Sequence, residues 1–365
     1  MGTRLMTQSL SNSIVESPSV LVTAVGSDVG LSLVKALRLC ARVNQIVGCD
    51  SEADDFGSAF VDSYFQAPPV SLEREYLAVL SEACIDFGIH AVFPGSEAEL
   101  RFFASSSAQY TNLNLPVRVI PSPRLVPVFM DKLQTMQLLE STGVDLLGYC
   151  NPAVKRELQL FLDRYSFPIV VKARCSHGAK EVWVARSKLE MNELLGRRCD
   201  LLCQEHIDIS QEYSVGVFRH GDRLHLIVLT RLMEKFGSAT SYAEVSMEED
   251  VVKYARNIAE ATGLSGAFNL QIGRNNQGRL GLLEVNPRFS ALVAARSMAG
   301  FKDAEWALFA SLGEAPLINE TSFRHLRYRR FLDELIDTGK GYHAISQWLP
   351  KRVADNGPDH RSHSV

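Results

Sequence analysis

At 365 residues, with 46% hydrophobic and 22% charged residues, the chain has the balance of a folded globular protein and is two to three times the usual domain length; two or three subdomains sharing a cleft are expected. A net charge of -4 gives no long-range attraction for nucleic acid or an anionic membrane, which leaves small molecules as the expected partners. Seven scattered cysteines without a C-x-x-C pair argue against a disulfide framework and a zinc site and read as reduced, mostly buried thiols. No apolar run reaches the roughly 18 to 20 residues that span a bilayer, and the first residues lack the order of a signal peptide, so the expected compartment is the cytosol.

Residues 1–17 are rich in Ser, Thr, Asn and Gln without periodicity and read as a loose tail. From Ser19 the text alternates. VLVTAV reads as a buried strand, Gly26 to Gly30 as a turn, and Leu31 to Leu39 as a helix with apolar residues at helical spacing. A second strand over Gln45 to Cys49, a helix over Arg74 to Gly88 and a third strand from His90 to a Gly turn continue the pattern. Such alternation implies a parallel sheet covered on both faces, with the loops at the carboxyl ends of its strands facing a ligand. This first subdomain is expected to span residues 18–122.

Pro121, Pro123 and Pro127 break the chain before a short helix from Asp131 to near Gly143. The text then becomes strand-rich: FPIVVKAR, EVWVAR, LLCQEHI, EYSVGVFR and RLHLIVLTR, with one helix from Lys188 to Leu195, so antiparallel sheets are expected. A helix over Met247 to Thr262 precedes a hairpin, GAFNLQIGRN and RLGLLEVNPR, joined by the turn Asn275 to Gly278. Residues 336–365 read as a C-terminal extension and tail.

The hairpin carries the sharpest chemical signal. Gln271 and Glu284 sit on its two arms, and Asn286, two residues past Glu284, shares its face. Three oxygen donors on one patch suit divalent magnesium in the company of substrate phosphates. Arg288, two residues further, adds a permanent cation suited to a transferring phosphoryl group. Taken alone, Glu284 and Arg288 read equally well as an ordinary ion pair at a sheet edge.

The segment from Asn269 to Ser290, NLQ…EVNPRFS, resembles the metal-binding segment of the ATP-grasp superfamily, in particular the single-copy relatives of the carbamoyl-phosphate synthase large chain. The resemblance covers roughly Val20 to Leu332. It implies an α/β and α+β architecture: an ATP-grasp domain over 123–335, with a small central part at about 145–207 and a C-terminal part at 208–335, behind a Rossmann-like pre-ATP-grasp subdomain. It also implies roles residue by residue. Lys172, ending FPIVVK, and Lys132, in MDKLQTMQLLESTGV, take the positions of phosphate-facing cations. Ser176, His177, Gly178 and Lys180 fall in the glycine-rich loop over the phosphates, although a single Gly and a His depart from that pattern. Gln204, Glu205, His206 and Ile207 fall on the strand that meets the adenine edge, and Glu212 falls where the ribose hydroxyls are held. VTAVGSDVG lacks the full G-x-G-x-x-G spacing and is not expected to bind a dinucleotide.

The resemblance implies MgATP, with manganese able to replace magnesium, metal ligands Gln271, Glu284 and Asn286, and catalytic cations Lys132, Lys172 and Arg288. The implied reaction is a carboxylate-amine ligation through an acyl phosphate, releasing ADP and phosphate and forming an amide or peptide bond. Carbamoyl-phosphate-synthase-like or carboxylase activity on bicarbonate or carbamate is one alternative, and a non-catalytic ATP-binding regulatory protein is another. The expected partners are a small carboxylate and an amine, amino acids among them, with no nucleic acid or membrane, and a homodimer is compatible with the reading. Glu97 and Glu99, just past the third strand, face the expected ligand side. Glu97, Arg231, Arg288 and Arg296 are candidates for substrate contact; each reads equally well as a structural charge.

Overall fold

The computed structural model describes residues 15–53, 56–105, 116–175, 181–233, 240–318, 323–330, 335–337 and 342–344. Residues 1–330 form one compact unit and residues 331–365 a second. In the second, the described residues are an antiparallel strand pair, Leu335–Asp337 with Tyr342–Ala344. Among the described residues, no helix is long and apolar enough to cross a membrane.

The first unit opens on β1 (Ser19–Thr23), α1 (Asp28–Arg38), β2 (Gln45–Asp50), a 3-10 turn (Phe56–Phe60), β3 (Ser63–Gln66), α2 (Glu73–Asp86), β4 (Ala91–Phe93), α3 (Glu97–Ser105) and β5 (Val117–Arg118). The five strands form one parallel sheet in the order β3-β2-β1-β4-β5. Because side chains alternate across a strand, Val20 and Val22 pack with Leu33, Val34 and Leu37 of α1 on one face, while Leu21 packs with Tyr76 and Leu80 of α2 and Phe103 of α3 on the other. α1 is capped by Ser27, whose hydroxyl accepts from Gly30 N–H, and carries Asp28 in its first turn and Lys35 and Arg38 in its last, in keeping with the helix dipole. The expected strand-helix alternation holds, but β3, β5 and α3 were not anticipated.

Next come α4 (Val126–Phe129), α5 (Lys132–Glu140), β6 (Tyr149–Cys150), α6 (Lys155–Arg164), β7 (Ile169–Ala173), β8 (Val182–Ala185), α7 (Lys188–Arg197) and β9 (Leu201–Glu205). Four of these are strands of an antiparallel sheet ordered β6-β9-β7-β8. Its far face packs Ile169, Val171, Ala173 and Cys203 against Phe161 of α6 and Met191 of α7. The rest of the unit is β10 (Ile209–His220), β11 (Arg223–Met233), β12 (Thr240–Val245), α8 (Glu249–Thr262), β13 (Gly266–Asn275), β14 (Leu280–Asn286), α9 (Val293–Ala299), α10 (Asp303–Ser311) and β15 (Arg327–Arg329). Its six strands make a second antiparallel sheet, β14-β13-β10-β11-β12-β15. One face packs Val215, Val217, Phe268 and Leu270 on Val251, Ala255 and Ile258 of α8; the other presents Ser214, Asn269 and Gln271 to a cleft. All seven cysteines are free thiols, five of them buried, with Cys175 and Cys199 exposed.

Candidate active site

Lys132 and Lys172 come together because two elements are tied at their ends. Asp131 caps α5, accepting from Leu133 N–H at 2.9 Å and Gln134 N–H at 3.3 Å, and the Arg174 guanidinium just past β7 grips the same carboxylate. Lys132 N–H donates to Arg174 C=O at 2.9 Å, which sets the start of α5 beside the end of β7. On β7 the core takes Ile169, Val171 and Ala173, so the alternate positions Val170 and Lys172 face the cleft. Lys172 donates to Gln204 Oε1 at 2.6 Å and to Leu283 C=O at 3.4 Å. Burial above all, with the nearby Lys132 charge, pulls its pKa down to about 8, and Glu284 and Glu212 offset this only in part.

Both lysines reach a cavity of about 330 Å³. Val170, Val182, Val184, Leu147, Ile207 and Leu283 give it apolar walls, and Gln204, Glu205, His206 and Glu212 are among its polar lining. Apolar walls with a few convergent polar groups are what a planar base with a charged tail requires.

A second cavity, of about 400 Å³, lies between the carboxyl ends of β1 and β4 and the open face of the six-stranded sheet. Ser27, Asp28, Gly95, Ser96 and Glu97 line it from one side and Ser214, Asn269, Arg288 and Ser290 from the other. Gly95 is required by contact: a Cβ there would stand 2.0 Å from Thr23 C=O. Arg231, Gln271 and Glu284 line both cavities, which therefore meet at these three side chains.

The register explains the meeting point. Gln271 stands opposite Glu284, Asn269 opposite Asn286, and Arg231 opposite Glu212, with the ladder irregular just past Gln271. Lys132 Nζ lies 3.1 Å from Glu284 Oε1, and Asn286 Nδ2 donates to Glu284 Oε2 at 3.2 Å. Burial by itself would raise the Glu284 pKa, but the Lys132 charge and hydrogen bond, with Arg288 and Asn286, hold it below the usual range. Arg231 pairs with Glu212 at 3.0 Å, and Arg288 lays Nε and Nη2 on Glu97 Oε1 at 3.0 and 2.7 Å. Among the described residues no three His, Cys, Asp or Glu side chains cluster as a metal cage. A divalent ion here would take one carboxylate and the amide oxygens of Gln271 and Asn286, a donor set fitting magnesium only where phosphate oxygens complete it.

Several expectations need correction or placement. Glu97 is not in an open loop: it begins α3 and engages Arg288 across the second cavity. Glu99 is 6% exposed, receives the Tyr76 hydroxyl at 2.8 Å and caps α3, which removes it from the cleft. Arg296 is 0% exposed, sandwiched between Asp303 at 2.5 Å, Ser290 Oγ at 2.7 Å and Asn269 Oδ1 at 3.2 Å, so it backs the cavity wall instead of reaching substrate. Gly216 leaves room for it, since a Cβ there would meet Arg296 Cδ at 2.5 Å. The Glu205 carboxylate is occupied by Arg279 and by Gly148 N–H, tying β9 to the β13-β14 turn. Ser176, His177, Gly178 and Lys180 lie outside the described residues. Ser27, Ser96, Ser214, Asn269 and Ser290 were missed as cavity residues; of these, Asn269 and Ser290, at the two ends of NLQ…EVNPRFS, carried a sequence signal.

Residues 197–331 match a family model described as an ATP-grasp in the biosynthetic pathway with Ter operon. Pyruvate carboxylases of Aspergillus niger and Aspergillus terreus are 22% and 21% identical over 240 and 238 residues, 58% of this chain. The match spans 20% of the length of these curated relatives. A biotin carboxylase from Campylobacter jejuni, solved as a beta-gamma-ATP complex, superimposes with a TM-score of 0.68 at 15% identity, covering 86% of this chain and 75% of that one. An L-amino acid ligase from Bacillus licheniformis gives 0.62 at 18% identity, with 84% and 77% covered. At these identities the likeness is one of fold. The chain thus shares the fold of these enzymes, and its residues 197–331 match an ATP-grasp family model.

Proposed function

We propose that this chain is an ADP-forming ligase, using MgATP to activate a carboxylate as an acyl phosphate that an amine then attacks. The observation that carries the reading is the junction of the two cavities. The apolar-walled cavity with Lys132 and Lys172 suits a nucleotide, the polar one with Arg288 suits a small charged substrate, and Gln271, Glu284 and Arg231 stand where they meet. A γ-phosphoryl group at that junction would lie between its donor and its acceptor, and positioning with charge neutralisation is most of what phosphoryl transfer needs.

In this reading Gln271, Glu284 and Asn286 would hold magnesium, which would supply charge neutralisation for phosphoryl transfer. Lys132 and Lys172 orient the phosphates, and Glu212 meets the ribose. Arg288, aimed by Glu97, stabilises the acid and the developing acyl phosphate. The subdomain limits near residues 122, 145, 207 and 335 belong to the same proposal. Serine hydroxyls, carboxylates and guanidinium groups together in the polar cavity favour amino acids as substrates. A second reading, carboxylation with bicarbonate as the activated acid, is favoured by the carboxylases among the similar folds.

A single assay separates these. Pools of amino acids carrying oxygen-18 in their carboxylates should yield ADP and labelled inorganic phosphate, because the bridging oxygen leaves with phosphorus. Glu284→Ala should abolish that turnover while circular dichroism stays unchanged, since the side chain lies on a cavity wall. Bicarbonate-dependent ADP release without label from any amino acid would favour the second reading, and AMP with pyrophosphate as products would reject both.

A further inference from the structure

Every oxygen of Glu284 and Gln271 that would meet a metal ion is already held by a donor of the chain. Lys132 Nζ is 3.1 Å from Glu284 Oε1, Asn286 Nδ2 donates to Glu284 Oε2 at 3.2 Å, and Arg231 Nη2 donates to Gln271 Oε1 at 3.4 Å. Asn286 thus presents its amino group, not its oxygen, to the seat. The Lys132 and Glu284 side chains are only 12% and 17% exposed, so water screens this pair less than it would a surface pair. The seat holds one carboxylate, and one ammonium already balances it.

We propose that Lys132 is a resident cation which closes the metal seat in the nucleotide-free chain, so that a divalent ion enters only together with nucleotide. The inference rests on the metal reading given above. A divalent ion arriving alone would have to displace the ammonium from Glu284 and then remain beside it, gaining a single carboxylate against like-charged neighbours that include Lys132, Arg231 and Arg288. Nucleotide phosphates reverse the balance, because they offer Lys132 a second anionic partner and supply the oxygen ligands the protein lacks. The Asn286 amide can then turn its oxygen to the ion. Metal and nucleotide should accordingly bind with positive coupling, and the coupling is reciprocal by thermodynamic necessity.

Water-proton relaxation enhancement with Mn2+ tests this, since it distinguishes manganese on the protein from the small complex with ATP. Wild-type protein should bind Mn2+ alone at least about tenfold more weakly than in the presence of saturating ATP, a modest coupling by ordinary standards. Lys132→Met should bind Mn2+ without nucleotide at least about tenfold more tightly than wild type and lose most of the coupling. Arg231→Met should move in the same direction by less. Lys132→Gln, which keeps a polar side chain without the charge, guards against a misfolded variant, and Glu284→Gln should remove the gain. If wild type binds Mn2+ alone as tightly as the Lys132 variants do, the proposal is overturned while the metal assignment survives. If wild type binds neither Mn2+ nor its ATP complex, the proposed function falls as well.

Discussion

Lys172 shows how one residue's surroundings set the conditions under which a site works. Burial disfavours its ammonium, so the folded-state pKa of about 8 lies below the ordinary 10.5. Between those values the unfolded chain holds a proton that the folded chain does not. Its contribution to stability therefore rises with pH across that window, and the cost of the buried charge is felt below about 8. For phosphate binding the sign is opposite. An ammonium is needed, so above about pH 8 nucleotide binding should take up a proton and weaken, by no more than about tenfold per pH unit for a single group. Calorimetry of MgATP binding at pH 7 and pH 9, in buffers of different ionisation enthalpy, should show uptake at pH 9 only. Lys172→Arg, charged throughout, should lose this dependence; uptake that persisted in the variant would move the titration to another group.

At the scale of elements, α3 deserves comparison with the β13-β14 hairpin. Ser96 and Glu99 form a reciprocal cap: Ser96 Oγ accepts from Glu99 N–H at 3.2 Å, and Glu99 Oε2 receives Ser96 N–H at 3.2 Å and its hydroxyl at 2.8 Å. The S-x-x-E spacing is present in the sequence, yet Gly95 ends the strand, so PGSEAEL reads there as a loop on the ligand side. The cap matters because the next residue, Glu97, is the one that holds Arg288. Ser96→Ala should cost about 1 kcal/mol in urea unfolding, the usual value of a lost N-cap. It should lower turnover by more than that loss of stability accounts for; normal turnover in a variant destabilised by this amount would mean that Arg288 does not depend on the α3 start. The hairpin was legible in full, since Asn275 and Gly278 mark its turn and the alternation on its arms has period two. Asn275 Oδ1 accepts from Gln277 and Arg279 N–H, and Gly278 takes a φ of 82°, which is the chemistry those residue types supply.

For the whole molecule, the proposed nucleotide cavity draws its walls from β7, β8 and β9 of one sheet and from β10, β13 and β14 of another, so a ligand there would bind only the folded chain. MgATP at about a hundred times its dissociation constant should therefore add about 2.7 kcal/mol to stability. A thermal scan should register this as a rise of several degrees that disappears with a chelator. The absence of any magnesium-dependent shift at millimolar ATP would count against the nucleotide reading whatever the fold.

Period and punctuation determined the parallel sheet, the two strand-rich segments and the face shared by Glu284 and Asn286, because these follow from spacing along one strand or helix. The resemblance at NLQ and EVNPR named the fold. Packing decided what spacing leaves open. Arg296 reads in the sequence as one more cation past Arg288, yet Asp303 and the notch at Gly216 bury it behind the wall. Glu97 and Arg288 are 191 residues apart, and no local pattern announces that one aims the other. Lys132 likewise meets Glu284 only because Asp131, Arg174 and the end of β7 bring a helix start to a strand from the far end of the chain. A charged side chain's partner is set by tertiary geometry, since attraction between charges carries no information about distance along the sequence.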